Sequence, residues 1–281
     1  MNEKHNFEIT SDLYLSRSKY NIPLCTICYP IGFNKSIKEK KLLEFIQSNY
    51  DDKIISSYRD GLEIDIYIPE LNLGIEFNGL YWHSEVNKSK NYHLEKTNYF
   101  KERGIKIIHI WEDDWDYKRN IVESQIKNIL RRTENKIYAR KCYTKEIKDT
   151  KIIKDFLNNN HIQGWVNNKL SIGLYYKDEL VSLMSFDHFE GRKKMSDNEW
   201  NLNRFCTILN TNIIGGGSKL LKYFIDNYNP SRIISYADKD WSSGNLYNTL
   251  GFIKLSESKP DYKYIVNGIR AHKSRFRKSN T

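Results

Sequence analysis

Leu62-Glu63-Ile64-Asp65-Ile66-Tyr67-Ile68 and Leu73-Gly74-Ile75-Glu76-Phe77-Asn78 each alternate apolar residues with polar or small ones, and Pro69-Glu70-Leu71-Asn72 separates the two runs. Alternation at period two places successive side chains on opposite faces, so the pair predicts a β-hairpin. Leu62, Ile64, Ile66 and Ile68 share one face and Glu63, Asp65 and Tyr67 the other. In the second strand Leu73, Ile75 and Phe77 alternate with Gly74, Glu76 and Asn78. Asp65 and Glu76 can therefore meet on one face.

Ahead of the hairpin, Ser36-Ile37-Lys38-Glu39 fits a capping box, followed by Leu42, Leu43, Phe45 and Ile46 of a helix to about residue 48. Behind it come Gly79-Leu80-Tyr81-Trp82-His83, a helical stretch from about Asn91 to Glu102 stopped by Gly104, a buried strand from Ile105 to Trp111, and a helix from about Tyr117 to Arg132. Helix, hairpin, helix, strand, helix is the order of a small α/β domain. The pattern changes near residues 133–137. Leu170 to Tyr176 and Leu180 to Phe186 then read as a second hairpin, Glu199 to Thr207 as a strand, and Ser218 to Tyr228 as an amphipathic helix after Gly215-Gly216-Gly217. Ile233 to Tyr236 and Lys263 to Val266 supply further strands around a helix near Gly244 to Leu250.

With 281 residues the chain is most economically two domains of about 100–150 residues plus an appendage. An aromatic share of 14% excludes a disordered composition. No window approaches a membrane-spanning run of about 18 apolar residues and the N-terminus lacks a signal pattern, which places the protein in the cytoplasm. The net charge of +10, from 45 Lys and Arg against 35 Asp and Glu, favours a polyanionic partner, nucleic acid first. Past Asp261 there is no acid, whereas Arg270, Lys273, Arg275, Arg277 and Lys278 follow, suited to an arm along phosphates. Trp165, Trp200 and Trp241 are candidates either for the core or for a grip on DNA. Of four cysteines only Cys25 and Cys28 have metal spacing; with His5 they are the candidate zinc ligands, one short of a closed tetrahedral site.

Two acids on adjacent strands, backed by a third on a preceding helix, supply the oxygen ligands that a hard divalent cation takes while leaving positions for water and a phosphate. Asp65, Glu76 and Glu39 are those acids, and the ion is Mg²⁺. Asp65…Glu76-Phe77-Asn78 resembles the PD-(D/E)xK nuclease core, with Asn78 where lysine is usual. Asn78-Gly79-Leu80-Tyr81-Trp82-His83 resembles a segment of the very short patch repair endonucleases. With Glu39, Asn91-Tyr92-His93-Leu94-Glu95-Lys96-Thr97 and Ile107 to Asp113, the chain resembles phage homing endonucleases of the EDxHD type over about residues 34–132. The resemblance implies Mg²⁺-assisted hydrolysis of double-stranded DNA. Asp65 would bind the ion, Glu76 bind it or orient its water, Glu39 complete the shell, and His83 act as general base or phosphate contact. His93 and Lys96, three apart on one helical face, would address a phosphate.

Glycines before an amphipathic helix also make an anion site. Asn212-Ile213-Ile214-Gly215-Gly216-Gly217 resembles the pyrophosphate loop of GNAT-type acyltransferases, and Asn245 to Phe252 resembles their terminal helix and Gly-Phe strand start, with Tyr247 at the usual general-acid position. This second resemblance covers about residues 137–268 and implies acetyl-CoA or another acyl-CoA held at Gly215, Gly216, Gly217 and Tyr247. The expected α/β (α+β) architecture is thus a Cys/His segment (1–33), a PD-(D/E)xK restriction-endonuclease-like domain (34–133), a GNAT-like mixed-sheet domain (134–268) and a basic tail (269–281). The expected function is a metal-dependent DNA endonuclease of a phage or mobile element. The alternatives are a GNAT-type acyltransferase acting on DNA or another amine, and a non-catalytic DNA-binding protein.

Overall fold

A computed structural model describes residues 6–19, 23–26, 37–80, 91–190, 193–242, 244–258 and 261–276. His5, Cys28, Ser36 and His83 lie outside the described residues. The chain divides into two compact units, Met1–Asp51 and Asp52–Thr281. The first contains α1 (Ser11–Lys19) and α2 (Ile37–Gln47). Arg17 donates to the carbonyls of Pro23 (2.7 Å) and Cys25 (3.2 Å). Leu42 and Ile46, four apart on one face of α2, are fully buried.

The second unit opens with β1 (Ile55–Asp60), β2 (Leu62–Ile68), β3 (Leu73–Asn78), α3 (Tyr92–Lys101), β4 (Lys106–Trp111), α4 (Glu112–Tyr117) and α5 (Arg119–Ile129). The four strands form one sheet in sequence order, antiparallel except that β4 runs parallel to β3 across the α3 crossover. Ile64, Ile66, Ile68, Ile75, Ile108 and Ile110 are fully buried, each stabilising the fold by about 1.5–3 kcal/mol. α3 covers part of the sheet through Phe100, which packs with Ile64, Ile105 and Ile107. The expected hairpin is β2–β3. β1 is an additional strand, the expected helix at 117–132 is α5, and the short α4 ahead of it is additional.

Next come β5 (Asn135–Tyr138), β6 (Tyr143–Glu146), α6 (Thr150–Asn160), β7 (Leu170–Tyr176), β8 (Glu179–Asp187), β9 (Phe189–Glu190), β10 (Lys193–Lys194), β11 (Glu199–Thr207) and β12 (Thr211–Ile214). The unit ends with α7 (Gly216–Tyr228), β13 (Arg232–Ser235), α8 (Asn245–Thr249), β14 (Lys263–Val266) and β15 (Ile269–His272). A five-stranded sheet has the order β13-β11-β8-β7-β6. Leu220 and Phe224 of α7 pack with Phe186 and Trp200, and Ile153 and Leu157 of α6 pack on Leu183. Trp200 is a core residue, tilted against His188 and edge-on to Phe224 and Tyr228, rather than available to DNA. The architecture is the mixed α/β one expected.

Distant segments of this unit are stitched together. The His109 N–H on the outer edge of β4 donates to the Asp240 carbonyl (2.8 Å), Trp111 Nε1 to Asp240 Oδ2 (2.9 Å) and Lys106 Nζ to the Trp241 carbonyl (3.2 Å). Arg270 of β15 donates from its backbone N–H and its Nε to Asp113 (2.9 and 2.7 Å) and from Nη2 to Asp114, and its guanidinium lies over the Trp111 ring. Among the described residues no helix is long and apolar enough to cross a membrane.

Candidate active site

The β2–β3 ladder runs Ile68↔Leu73, Tyr67↔Gly74, Ile66↔Ile75 and then stops. At the next step the Asp65 carboxylate takes over the ladder's role: its Oδ2 accepts from the Phe77 N–H (2.8 Å), and the Asp65 N–H points to Glu76 Oε1 (3.4 Å). Across β2 the β1 register skips from Ser56↔Ile66 to Tyr58↔Ile64. Ser57, opposite Asp65, has a φ of 54°, a left-handed conformation that costs an L-residue about 1–2 kcal/mol. The sheet is thus distorted on both sides of Asp65, and the two carboxylates meet as the alternation requires.

Glu76 is buried on β3, and Lys96, buried one turn before Phe100 on α3, places Nζ 2.5 Å from Glu76 Oε2. Burial pushes the Glu76 carboxyl up to about 8, the Asp65 charge adds to the rise, and Lys96 pulls it partly back. Burial also favours the neutral amine of Lys96, but the Glu76 charge outweighs it and the amine pKa is raised.

Asn78, in the position where the nuclease pattern has lysine, is fully buried, and its Nδ2 lies 3.2 Å from His109 Nδ1. The other His109 nitrogen lies 2.8 Å from Thr97 Oγ1. Asn78 therefore faces the sheet interior, and the ammonium beside Glu76 comes from α3 instead. Sequence reasoning had Lys96 addressing a phosphate; its spacing of four from the inward-facing Phe100 was the signal for the buried pairing. His93 packs on His109 (5.4 Å between centroids) and Trp111 (5.2 Å). Glu39 is buried in the first turn of α2, in the N-terminal unit.

Asp65 and Glu76 offer hard oxygen donors, and two carboxylates side by side, one with a strongly raised pKa, suit a divalent cation such as Mg²⁺, which keeps several waters and needs one or two protein carboxylates. Among the described residues no three His, Cys, Asp or Glu side chains group as metal ligands. Of the zinc candidates only Cys25 lies among the described residues, where it is half-buried.

In the C-terminal part Gly215 caps α7 with φ 78°. Gly216 and Gly217 are buried for packing: a Cβ on Gly216 would meet Ile213 Cγ2 at 2.8 Å, and one on Gly217 would meet Phe205 Cζ at 3.3 Å. A groove of about 320 Å³ runs between α7 and α8, lined by Ser218, Lys222, Ile225, Thr249 and Leu250 among others. The Tyr247 hydroxyl donates to the Tyr236 carbonyl (3.3 Å). β11 pairs with β13 only from Glu199↔Arg232 to Leu202↔Ser235, so residues 203–207 run on beyond that pairing.

No protein-family model matches the chain, and no curated protein matches it. Among solved structures it is similar to a GNAT-family acetyltransferase of Streptococcus pneumoniae (17% identity, 40% of this chain and 87% of the other, TM-score 0.31). It is similar also to an aminoglycoside N-acetyltransferase in complex with CoA (11%, 43% and 94%, TM-score 0.33). A third is the catalytic domain of the homing endonuclease I-Bth0305I (23%, 34% and 94%, TM-score 0.29). Acetyltransferases thus outnumber nucleases among these similar structures, all of which match over less than half of this chain.

Proposed function

We propose that the protein is a metal-dependent endonuclease that hydrolyses phosphodiester bonds of double-stranded DNA. The observation that carries the reading is the cluster of half-buried Asp65 with buried Glu76 and Lys96, two carboxylates and an ammonium drawn from three elements onto one site. Asp65 and Glu76 would hold Mg²⁺, which supplies Lewis-acid polarisation of a phosphate oxygen and a more acidic bound water. Lys96 keeps Glu76 partly ionised despite its burial and holds a positive charge where negative charge grows on a phosphodiester under attack. The net charge of +10 supports a polyanionic substrate. The test is cleavage of long duplex DNA with Mg²⁺, with EDTA, and with Asp65→Ala. Discrete fragments that need both Mg²⁺ and Asp65 are expected; no cutting of any duplex by the wild type overturns the reading.

A second reading, a GNAT-type acyltransferase, is favoured by the groove between α7 and α8 beside the Gly215 turn. The names of the similar structures lean the same way. In that reading acetyl-CoA raises the melting temperature, and Tyr247→Phe abolishes acyl transfer without affecting DNA cutting.

A further inference from the structure

β14 and β15 form a two-stranded antiparallel ribbon from Lys263↔His272 to Val266↔Ile269. Asn267 and Gly268 close it with φ values of 51° and 74°, the two positive values of a type I′ turn, whose twist matches that of the strands. Among the described residues neither strand pairs with any other. All four β14 residues are exposed, and Ile265, Val266 and Ile269 near the tip each leave 40–44% of their surface to solvent. The ribbon is held one pair from the turn, where Arg270, opposite Ile265, is bound by Asp113 and Asp114 and lies over Trp111, and nearer the base Tyr264 packs edge-on against Tyr262 and Phe276.

An exposed apolar tip on a firmly anchored ribbon needs an occupant, and charge selects it. From Lys263 to the C-terminus the sequence holds Lys263, Arg270, Lys273, Arg275, Arg277 and Lys278 and no acid; of these Arg270 is paired with Asp113 and Asp114, and Lys273 with Asp261. We propose that this ribbon enters the major groove of duplex DNA and selects the sequence bound, with Val266, Asn267 and Ile269 against base edges. The proposal rests on the nuclease reading of the Asp65–Glu76–Lys96 site and adds its substrate recognition. Four-residue strands span about 13 Å, and the major groove, about 12 Å wide, admits a two-stranded ribbon. Apolar side chains at the tip read thymine methyl groups, and Lys263 and Arg275 lie along the flanking phosphates, positioning without specifying. Because Asp113 and Asp114 follow directly on β4, which pairs with the strand carrying Glu76, the Arg270 clamp holds the reading element at a set distance from the cutting site.

The test uses the full-length protein and a pool of duplexes randomised over about thirty base pairs, bound without divalent metal so that cutting plays no part. Wild type is expected to enrich a motif. Val266→Ser/Ile269→Ser, both at exposed positions, should keep its melting temperature and its affinity for the unselected pool. It should lose preference at two or three adjacent positions by about tenfold or more. Lys263→Ala/Arg275→Ala should weaken binding to all sequences alike and lower the slope of log affinity against log salt by about two. The proposal is overturned if the tip variant enriches the unchanged motif, if wild type enriches none, or if wild type sediments as a dimer that the tip variant converts to monomer. Cutting is read separately with Mg²⁺: a protein that selects a motif but never cuts refutes the nuclease reading and leaves the ribbon standing, whereas unchanged selection with intact cutting refutes only the ribbon.

Discussion

The Lys96 ammonium on α3 lies 2.5 Å from the Glu76 carboxylate on β3, and both side chains are almost wholly buried. Removing Lys96 leaves the buried Glu76 carboxyl without its hydrogen-bonded partner, a loss of about 1–3 kcal/mol. Lys96→Ala should therefore lower the urea midpoint markedly and reduce Mg²⁺-dependent cutting by more than about a hundredfold. Lys96→Arg, which keeps the charge, should recover stability better than activity, because the guanidinium is larger and planar. Paired denaturation and cleavage assays separate the two effects.

Stability should depend on pH through Glu76. Its carboxyl titrates at 4.5 when unperturbed and at about 8 in the fold, with burial as the main cause. Between those values the native state holds a proton that the unfolded chain has released, so stability falls as pH rises, by up to about 1.4 kcal/mol per unit. In EDTA the melting temperature of wild type should drop relative to that of Glu76→Gln from pH 5 to 8. Mg²⁺ should flatten the difference. A wild-type curve parallel to the variant's would contradict the assignment.

Ser57 carries the left-handed backbone opposite Asp65. Ser57→Gly removes the steric cost of positive φ while adding chain entropy to the unfolded state, so stability should change by less than about 1 kcal/mol and cutting should persist. Ser57→Val, β-branched and ill suited to that conformation, should cost about 1–3 kcal/mol and displace Asp65, lowering the cutting rate at saturating DNA. Thermal melts and single-turnover cleavage measure both.

Arg270 is the counterion of two adjacent buried aspartates. Arg270→Ala should destabilise the protein by about 3–5 kcal/mol by leaving Asp113 uncompensated and Asp114 with Lys118 as its partner. Adding Asp113→Asn and Asp114→Asn should restore much of that loss, a non-additivity measurable in a multiple-mutant cycle.

The β2–β3 hairpin was legible in the sequence because strict alternation fixes faces, and Asp65 and Glu76 fall on the same one. Lys96 was visible as a residue but not in its partnership, which exists only once α3 lies across the sheet. β1 was missed because Ile55-Ser56-Ser57-Tyr58-Arg59-Asp60 is half exposed and lacks an apolar period. α6 was missed despite its Asp149 cap, which accepts from the Lys151 N–H. The strand at Lys263 to Val266 was read but its partner β15 was not, and Arg270 was read as one of a loose row of cations; what buries it are aspartates some 157 residues earlier. Strict alternation reported the longer hairpins, whereas long-range charge pairing left no local trace.

The hydrogen bond from the His109 N–H to the Asp240 carbonyl has a consequence for cutting the chain in two. Lys106-Ile107-Ile108-His109-Ile110-Trp111 is a hydrophobic edge strand, and the loop around Asp240 is what covers it. A fragment ending near residue 133 would present that edge bare, a template for pairing with its own copies. Such a fragment should precipitate, and the segments on either side of residue 133 would then be inherited, expressed and lost together.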